Sequence, residues 1–168
     1  MKRIQFRLGI SFFVIILLLV IQGIFAYRNI QSITRIQAEA HDHERRINDL
    51  QLQLARTRLL VFKMLGTMNP DEMDYFRGQF NQQQSFLEPE LVGAGVDSAV
   101  VKKTFAAYAR IIALQYDFRG RTARAMIEET AVATHETVAK QLKDISASIL
   151  QESNRKIEKT YLQSIRLT

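Results

Sequence analysis

An all-α fold, carried on one N-terminal transmembrane helix, is predicted by three features of this sequence. Pro and Gly are scarce, at 2 and 7 of 168 residues, which favours long helices over turn-rich sheet. Leu8 to Tyr27 is an uncharged apolar run. After it, apolar residues recur at helical spacing, and no alternating run argues for a strand.

The membrane element comes first. It reads LGISFFVIILLLVIQGIFAY. About 20 residues at 1.5 Å each give about 30 Å, the thickness of a bilayer core. Lys2, Arg3 and Arg7 precede it. They predict that residues 1–7 form a cytoplasmic tail, 8–27 the span, and 28–168 a domain on the far side of the membrane. Tyr27 and Arg28 suit the far interface. A cleaved signal peptide is the rival reading, with Ile24-Phe25-Ala26 as a loose cleavage site. The run is longer than a signal core, and no small residue stands three before the cut, so the anchor is preferred. Gly9, Gln22 and Gly23 read as tolerated residues of the span rather than as a helix contact.

Breakers divide the remainder. Gly66 and Asn69-Pro70 form the first break, where Asn69 caps, Pro70 takes the first helical position, and Asp71 and Glu72 complement the dipole. Glu88-Pro89 to Asp97, with Gly93 and Gly95, forms the second, and Asp97 or Ser98 caps the next helix. Gly120 forms the third. Four helices are predicted, over 28–68, 70–87, 97–119 and 121–166, with only Gly78 well inside one of them.

Apolar spacing supports each helix. The first places Ile33, Ala40, Ile47, Leu54, Val61 and Met68 at sevens, with Ile36, His43, Leu50, Thr57 and Met64 interleaved. The second has Met73, Phe76, Phe80, Gln83 and Leu87. The third has Val101, Phe105, Tyr108, Ile112 and Gln115. The fourth has Ala131, Val138, Leu142, Ile145 and Ile149, then Ile157, Tyr161 and Ile165.

The lengths run long-short-short-long. At 1.5 Å per residue the outer pair span about 62 and 69 Å, and the inner pair are far shorter. An antiparallel up-down-up-down four-helix bundle fits, returning the chain to the membrane surface with Tyr161 and Arg166. Leu52, Ala55, Leu59 and Phe62 form a second apolar stripe, nearly opposite Leu54 on the helix. It predicts a homodimer interface.

Composition narrows the function. The net charge is +6, but Lys2, Arg3 and Arg7 supply half of it, and acids and bases alternate elsewhere. That argues against a nucleic-acid stripe. Cysteine is absent, so thiolate chemistry and disulfides are excluded. No phosphate loop, nucleophile elbow or two-histidine metal helix occurs, so no catalytic residue, metal site or cofactor is expected, and the chain reads as no enzyme. His41 and His43, two apart on a helix, point away from each other. Glu39 stands four before His43, but His43 falls on a core position and reads as a core histidine. His135 reads as an isolated surface or core-edge residue.

Arginines lead towards a binding site. Arg58 and Arg110 each fall about 15 Å below the far end of their helices. Tyr108 lies beside Arg110, and Thr130 and Thr134 reach a similar level. Together with Arg56, these residues form a candidate ligand site, in which bidentate guanidinium and hydroxyl bonds hold a small anion. Arg121 and Arg124 are further candidates. Surface pairing of these arginines with Asp117, Glu128 or Glu129 is the plainer alternative.

The basic tail, the single span and the four-helix order resemble the N-terminal sensor region of bacterial chemoreceptors (methyl-accepting chemotaxis proteins) and related sensor histidine kinases. The closest stretches are Leu50 to Gly66, LQLQLARTRLLVFKMLG, and Phe105 to Ile127, FAAYARIIALQYDFRGRTARAMI. The resemblance covers nearly the whole chain through helical pattern rather than fixed residues. It implies a periplasmic four-helix-bundle sensor domain in the bacterial inner membrane, with a small-molecule ligand or a periplasmic binding protein as partner. It also implies a second span after Thr168, and signal transduction by a small helix displacement. A stand-alone anchored scaffold that binds another envelope protein is the alternative.

Overall fold

A computed structural model describes residues 2–117 and 119–166, and the side chains from Gly9 to Gln163 among them. Phe118, Leu167 and Thr168 lie outside the described residues, as do the side chains of Lys2, Arg3, Arg7, Ile165 and Arg166. The described residues are helical apart from short links, without strands. The elements are α1 (Lys2–Gly66), α2 (Pro70–Gly93), α3 (Ser98–Tyr116), α4 (Gly120–Met126), a π-helical turn (Ile127–Ala131) and α5 (Val132–Arg166).

Two compact units divide the chain: Met1–Asp42 with Ile149–Thr168, and His43–Ser148. In the first unit, α1 carries an apolar segment long enough to cross a membrane, and none of that segment is buried. Phe12, Phe13, Leu19 and Tyr27 are each more than half exposed. Burial in this unit is slight, reaching Ala40 on α1 and Ser153 on α5. Salt bridges Arg35–Glu39 and Glu152–Lys156 run along the helix surfaces at 2.9 and 2.7 Å. Such exposed pairs add little.

The second unit holds the core. Leu54, Val61 and Met64 from α1 are almost wholly buried, as are Phe80, Leu87 and Leu91 from α2 and Val101, Phe105 and Ile111 from α3. The Phe80 ring meets those of Phe105 and Tyr108, at centroid distances of 6.4 and 6.3 Å. Thr57 donates to Gln83 Oε1 at 2.8 Å, which satisfies a hydroxyl with no exposure. Arg46 donates to Glu90 at 2.7 Å.

The helix starts follow local chemistry. Asn69 Oδ1 accepts from the Asp71 N–H at 3.1 Å, with Pro70 leading the helix. Asp97, not Ser98, caps α3, through the Ala99 N–H at 2.8 Å. These are N-terminal donors that no turn of helix satisfies.

The ends depart from expectation. The first helix stops at Gly66, and Met68 lies exposed in the link. α2 continues past Leu87, through Pro89, to Gly93. Pro89 removes one helical N–H, but the helix is retained because Leu87 and Leu91, flanking it, are both buried in the core. The true stop is Gly95, at φ 99°. Its N–H bonds the Val92 carbonyl at 3.0 Å, and the Val96 N–H bonds that of Leu91 at 3.1 Å. This is a complete Schellman motif, closed by the buried pair Leu91 and Val96. α3 ends at Tyr116 rather than at residue 119.

The fourth predicted helix is not uniform. Between α4 and α5 the Val132 N–H reaches back five residues to the Ile127 carbonyl. One extra residue is thereby accommodated in the turn. His43, expected in the core, is exposed. Heptad spacing marks a face of α1, but burial also needs a neighbour to cover that face.

Candidate functional site

The π-turn and α1 wall a cavity of about 510 Å3. Arg58, Phe62, Leu65 and Gly66 line it from α1, Arg124 from α4, Ile127 and Glu128 from the π-turn, and Val132 from α5. The volume lies within the usual range for a small-molecule pocket. Leu65 and Ile127 are buried, Val132 and Arg58 half-buried, and Arg124 and Glu128 exposed.

Arg58 is the central group. Its guanidinium stands 5.4 Å from the centroid of the Phe62 ring, a cation–π contact. Among the described residues it makes no ion pair, and neither does Arg124. The expected pairing of these arginines with Asp117, Glu128 or Glu129 is therefore not found among the described residues. A half-buried cation left without a counter-charge raises the local potential, and an anion entering the cavity would lower it.

Beneath Arg58 lies a buried polar pair. The Tyr108 hydroxyl and Nδ1 of His135 are hydrogen-bonded at 2.8 Å. Burial pushes the Tyr108 phenol well above its ordinary range, against a smaller downward pull from Arg58. Burial also lowers the His135 pKa below 6.5, and Arg58 lowers it further, while Glu136 opposes. The charge on Arg58 therefore reaches both partners. Among the described residues no buried side-chain polar atom lacks a hydrogen bond.

The predicted site residues separate into two groups. Arg58 and Tyr108 come together, with the Tyr108 ring under the inner wall beside Val61, Ile127 and Ala131. Arg56 and Arg110 are exposed and do not line the cavity. Thr134 is buried, but its hydroxyl donates to the carbonyls of Thr130 and Ala131, at 3.1 and 3.3 Å. It serves the carbonyls of the π-turn instead of facing a ligand. Thr130 is half-buried, and its side chain is absent from the cavity lining.

His135 is not among the residues that the sequence singles out for the site. Expected as an isolated residue at the surface or the core edge, it is buried and hydrogen-bonded to Tyr108. A signal for it exists in the spacing. Ala123, Ile127, Ala131 and His135 stand four apart, and all are buried. Three such steps in an α-helix would drift about 120° off one face. The extra residue of the π-turn absorbs that drift and brings His135 to Tyr108.

Comparison with protein-family models, curated proteins and solved structures gave no match.

Proposed function

We propose that this chain is the extracytoplasmic sensing module of a membrane-anchored receptor, a binding protein rather than an enzyme. The N-terminus is cytoplasmic, α1 crosses the bacterial inner membrane, and the unit from His43 to Ser148 binds a small molecule outside. Signal passes as a small slide or rotation of α5 against α1. Chemotaxis or histidine-kinase output follows from the resemblance to the sensor regions of those receptors.

The supporting observation is the unpaired Arg58 at a cavity whose walls are α1 on one side and the π-turn on the other. A ligand there touches both helices at once and biases their relative position. An antiparallel bundle agrees with the order of contacts. Arg46 meets Glu90 and Thr57 meets Gln83. Asp74 bonds Tyr116, while Phe80 meets Phe105. Tyr108 meets His135, and the Asp97 N–H reaches Gln141. In each helix pair one number rises as the other falls.

The homodimer face is Leu52, Ala55, Leu59 and Phe62. Leu52 and Leu59 are half exposed, and Phe62 joins this stripe to the cavity rim. A ligand at the rim is thus also felt by the dimer. The same face favours a second reading, a scaffold that binds an envelope protein.

The test is thermal unfolding of the full chain in detergent micelles, against a broad set of small metabolites. The cavity-filling variant Val132→Trp serves as the control. A compound that raises the midpoint of the native chain and not of the variant supports the sensor. Absence of any stabilising compound in a folded sample overturns it and favours the scaffold.

A further inference from the structure

The charge and apolar balance of the cavity specify the chemistry of its ligand, an inference that rests on the proposed sensing role. We infer that the cavity takes an apolar-bodied monocarboxylate, its carboxylate between Arg58 and Arg124 and its body against Phe62, Leu65, Ile127 and Val132. Two guanidiniums and one carboxylate, that of Glu128, line the space. The lining is therefore one positive charge in excess, which a monoanion cancels. A dianion would overshoot and meet Glu128. A zwitterion would leave the excess in place.

The remaining walls support an apolar body. Among the described residues no Ser, Thr, Asn or Gln side chain lines the cavity, so beyond the two guanidiniums and Glu128 a polyhydroxylated compound would find no side-chain partner for the hydrogen bonds it loses to water. Phe62, Leu65, Ile127 and Val132 instead offer aromatic and branched surface. Arg58 is pre-placed for its task. Its cation–π contact with Phe62 limits the side-chain freedom lost on binding. Guanidinium is also the cation whose planar fork matches a carboxylate with two parallel bonds. Glu128 then acts as a selectivity element, repelling a second carboxylate.

Phenylacetate and 4-methylvalerate are suitable probes, with phenylacetamide, phenethylamine, phenylalanine and succinate for comparison. Isothermal titration and thermal unfolding are run on the full chain in micelles. The two acids should bind, while the amide, amine and dicarboxylate bind at least tenfold more weakly. Arg58→Gln should weaken the acids by about tenfold or more. Glu128→Gln should tighten them and let succinate in. This gain remains readable if Arg58→Gln fails to fold. Preference for phenylalanine, lost in Glu128→Gln, would overturn the class in favour of a zwitterion. Binding of phenylacetamide equal to phenylacetate would overturn the role of charge. In both cases the cavity stands as a sensor site, whereas silence across the whole metabolite set removes that site as well.

Discussion

Tyr108 on α3 and His135 on α5 share a buried 2.8 Å hydrogen bond whose two partners both feel the charge of Arg58. Removing the hydroxyl in Tyr108→Phe leaves Nδ1 of His135 buried without a partner. The expected cost is about 1–3 kcal/mol, read as a lower midpoint in chemical denaturation. An unchanged midpoint would show that the ring packing alone holds α3 to α5.

Stability should depend on pH through His135. Its folded pKa lies below the ordinary 6.5 because of burial first and Arg58 second. As pH falls below about 6.5 the unfolded chain takes up a proton that the folded chain resists. This contribution is therefore fully present above the unfolded pKa. It declines as pH falls towards the folded pKa, then levels. The drop in denaturation midpoint between pH 7.5 and pH 5 should be smaller in His135→Gln than in the native chain. Arg58→Gln should move the His135 proton-NMR titration to higher pH, and a titration that stays in place would separate the two residues.

Glycine positions in α2 and its cap give opposite outcomes. Gly95, at φ 99°, holds the Schellman turn. Gly95→Ala should destabilise by about 1 kcal/mol through strain. Gly78 sits inside α2, and a methyl group on its Cα would meet nothing within 4 Å. Gly78→Ala should stabilise by about 1 kcal/mol. Equal effects in thermal unfolding would contradict the assignment of the helix end.

The aromatic cluster should dominate core stability. Phe80 is 1% exposed and meets the Phe105 and Tyr108 rings. Phe80→Ala should cost about 3–5 kcal/mol. A loss below about 1 kcal/mol, the scale of a surface change, would mean that the rings are not packed as described.

The proposed dimer face is open to a direct measurement. Leu52→Glu with Leu59→Glu alters two half-exposed residues. Sedimentation equilibrium in density-matched micelles should show the native chain as a dimer and this variant as a monomer, with its helical content retained. A native chain that stays monomeric removes the stripe as a self-interface.

Local signals are the most legible in the sequence. Asn69-Pro70-Asp71-Glu72 marks a helix start by chemistry contained in four neighbours, and α2 begins there. Spacing places Val101, Phe105, Tyr108, Ile112 and Gln115 in the core, and all are buried. Features set by distant contacts are not legible. Pro89 is a local breaker, overruled by the burial of Leu87 and Leu91. His43 obeys the α1 repeat but is left uncovered. At the site, Arg58 and Tyr108 emerge from counting along helices, whereas Arg110 does not reach the cavity. Level along an axis is legible in sequence, but facing is not: Arg110 lies on the exposed side of α3, and Thr130 and Thr134 lie where the π-turn resets the phase of the last helix.

The extra residue between Ile127 and Ala131 has a kinematic consequence. It need not stay where it is. If it migrates, the helical stretch it crosses turns by about 100° and advances by about 1.5 Å, while the flanking segments keep their places. Each step exchanges an i→i−5 bond for an i→i−4 bond, so the helix is never unwound. A screw motion of this kind changes which side chains α5 presents without changing where its ends are held. Thr134, whose hydroxyl grips the carbonyls of Thr130 and Ala131, would be the latch on that thread.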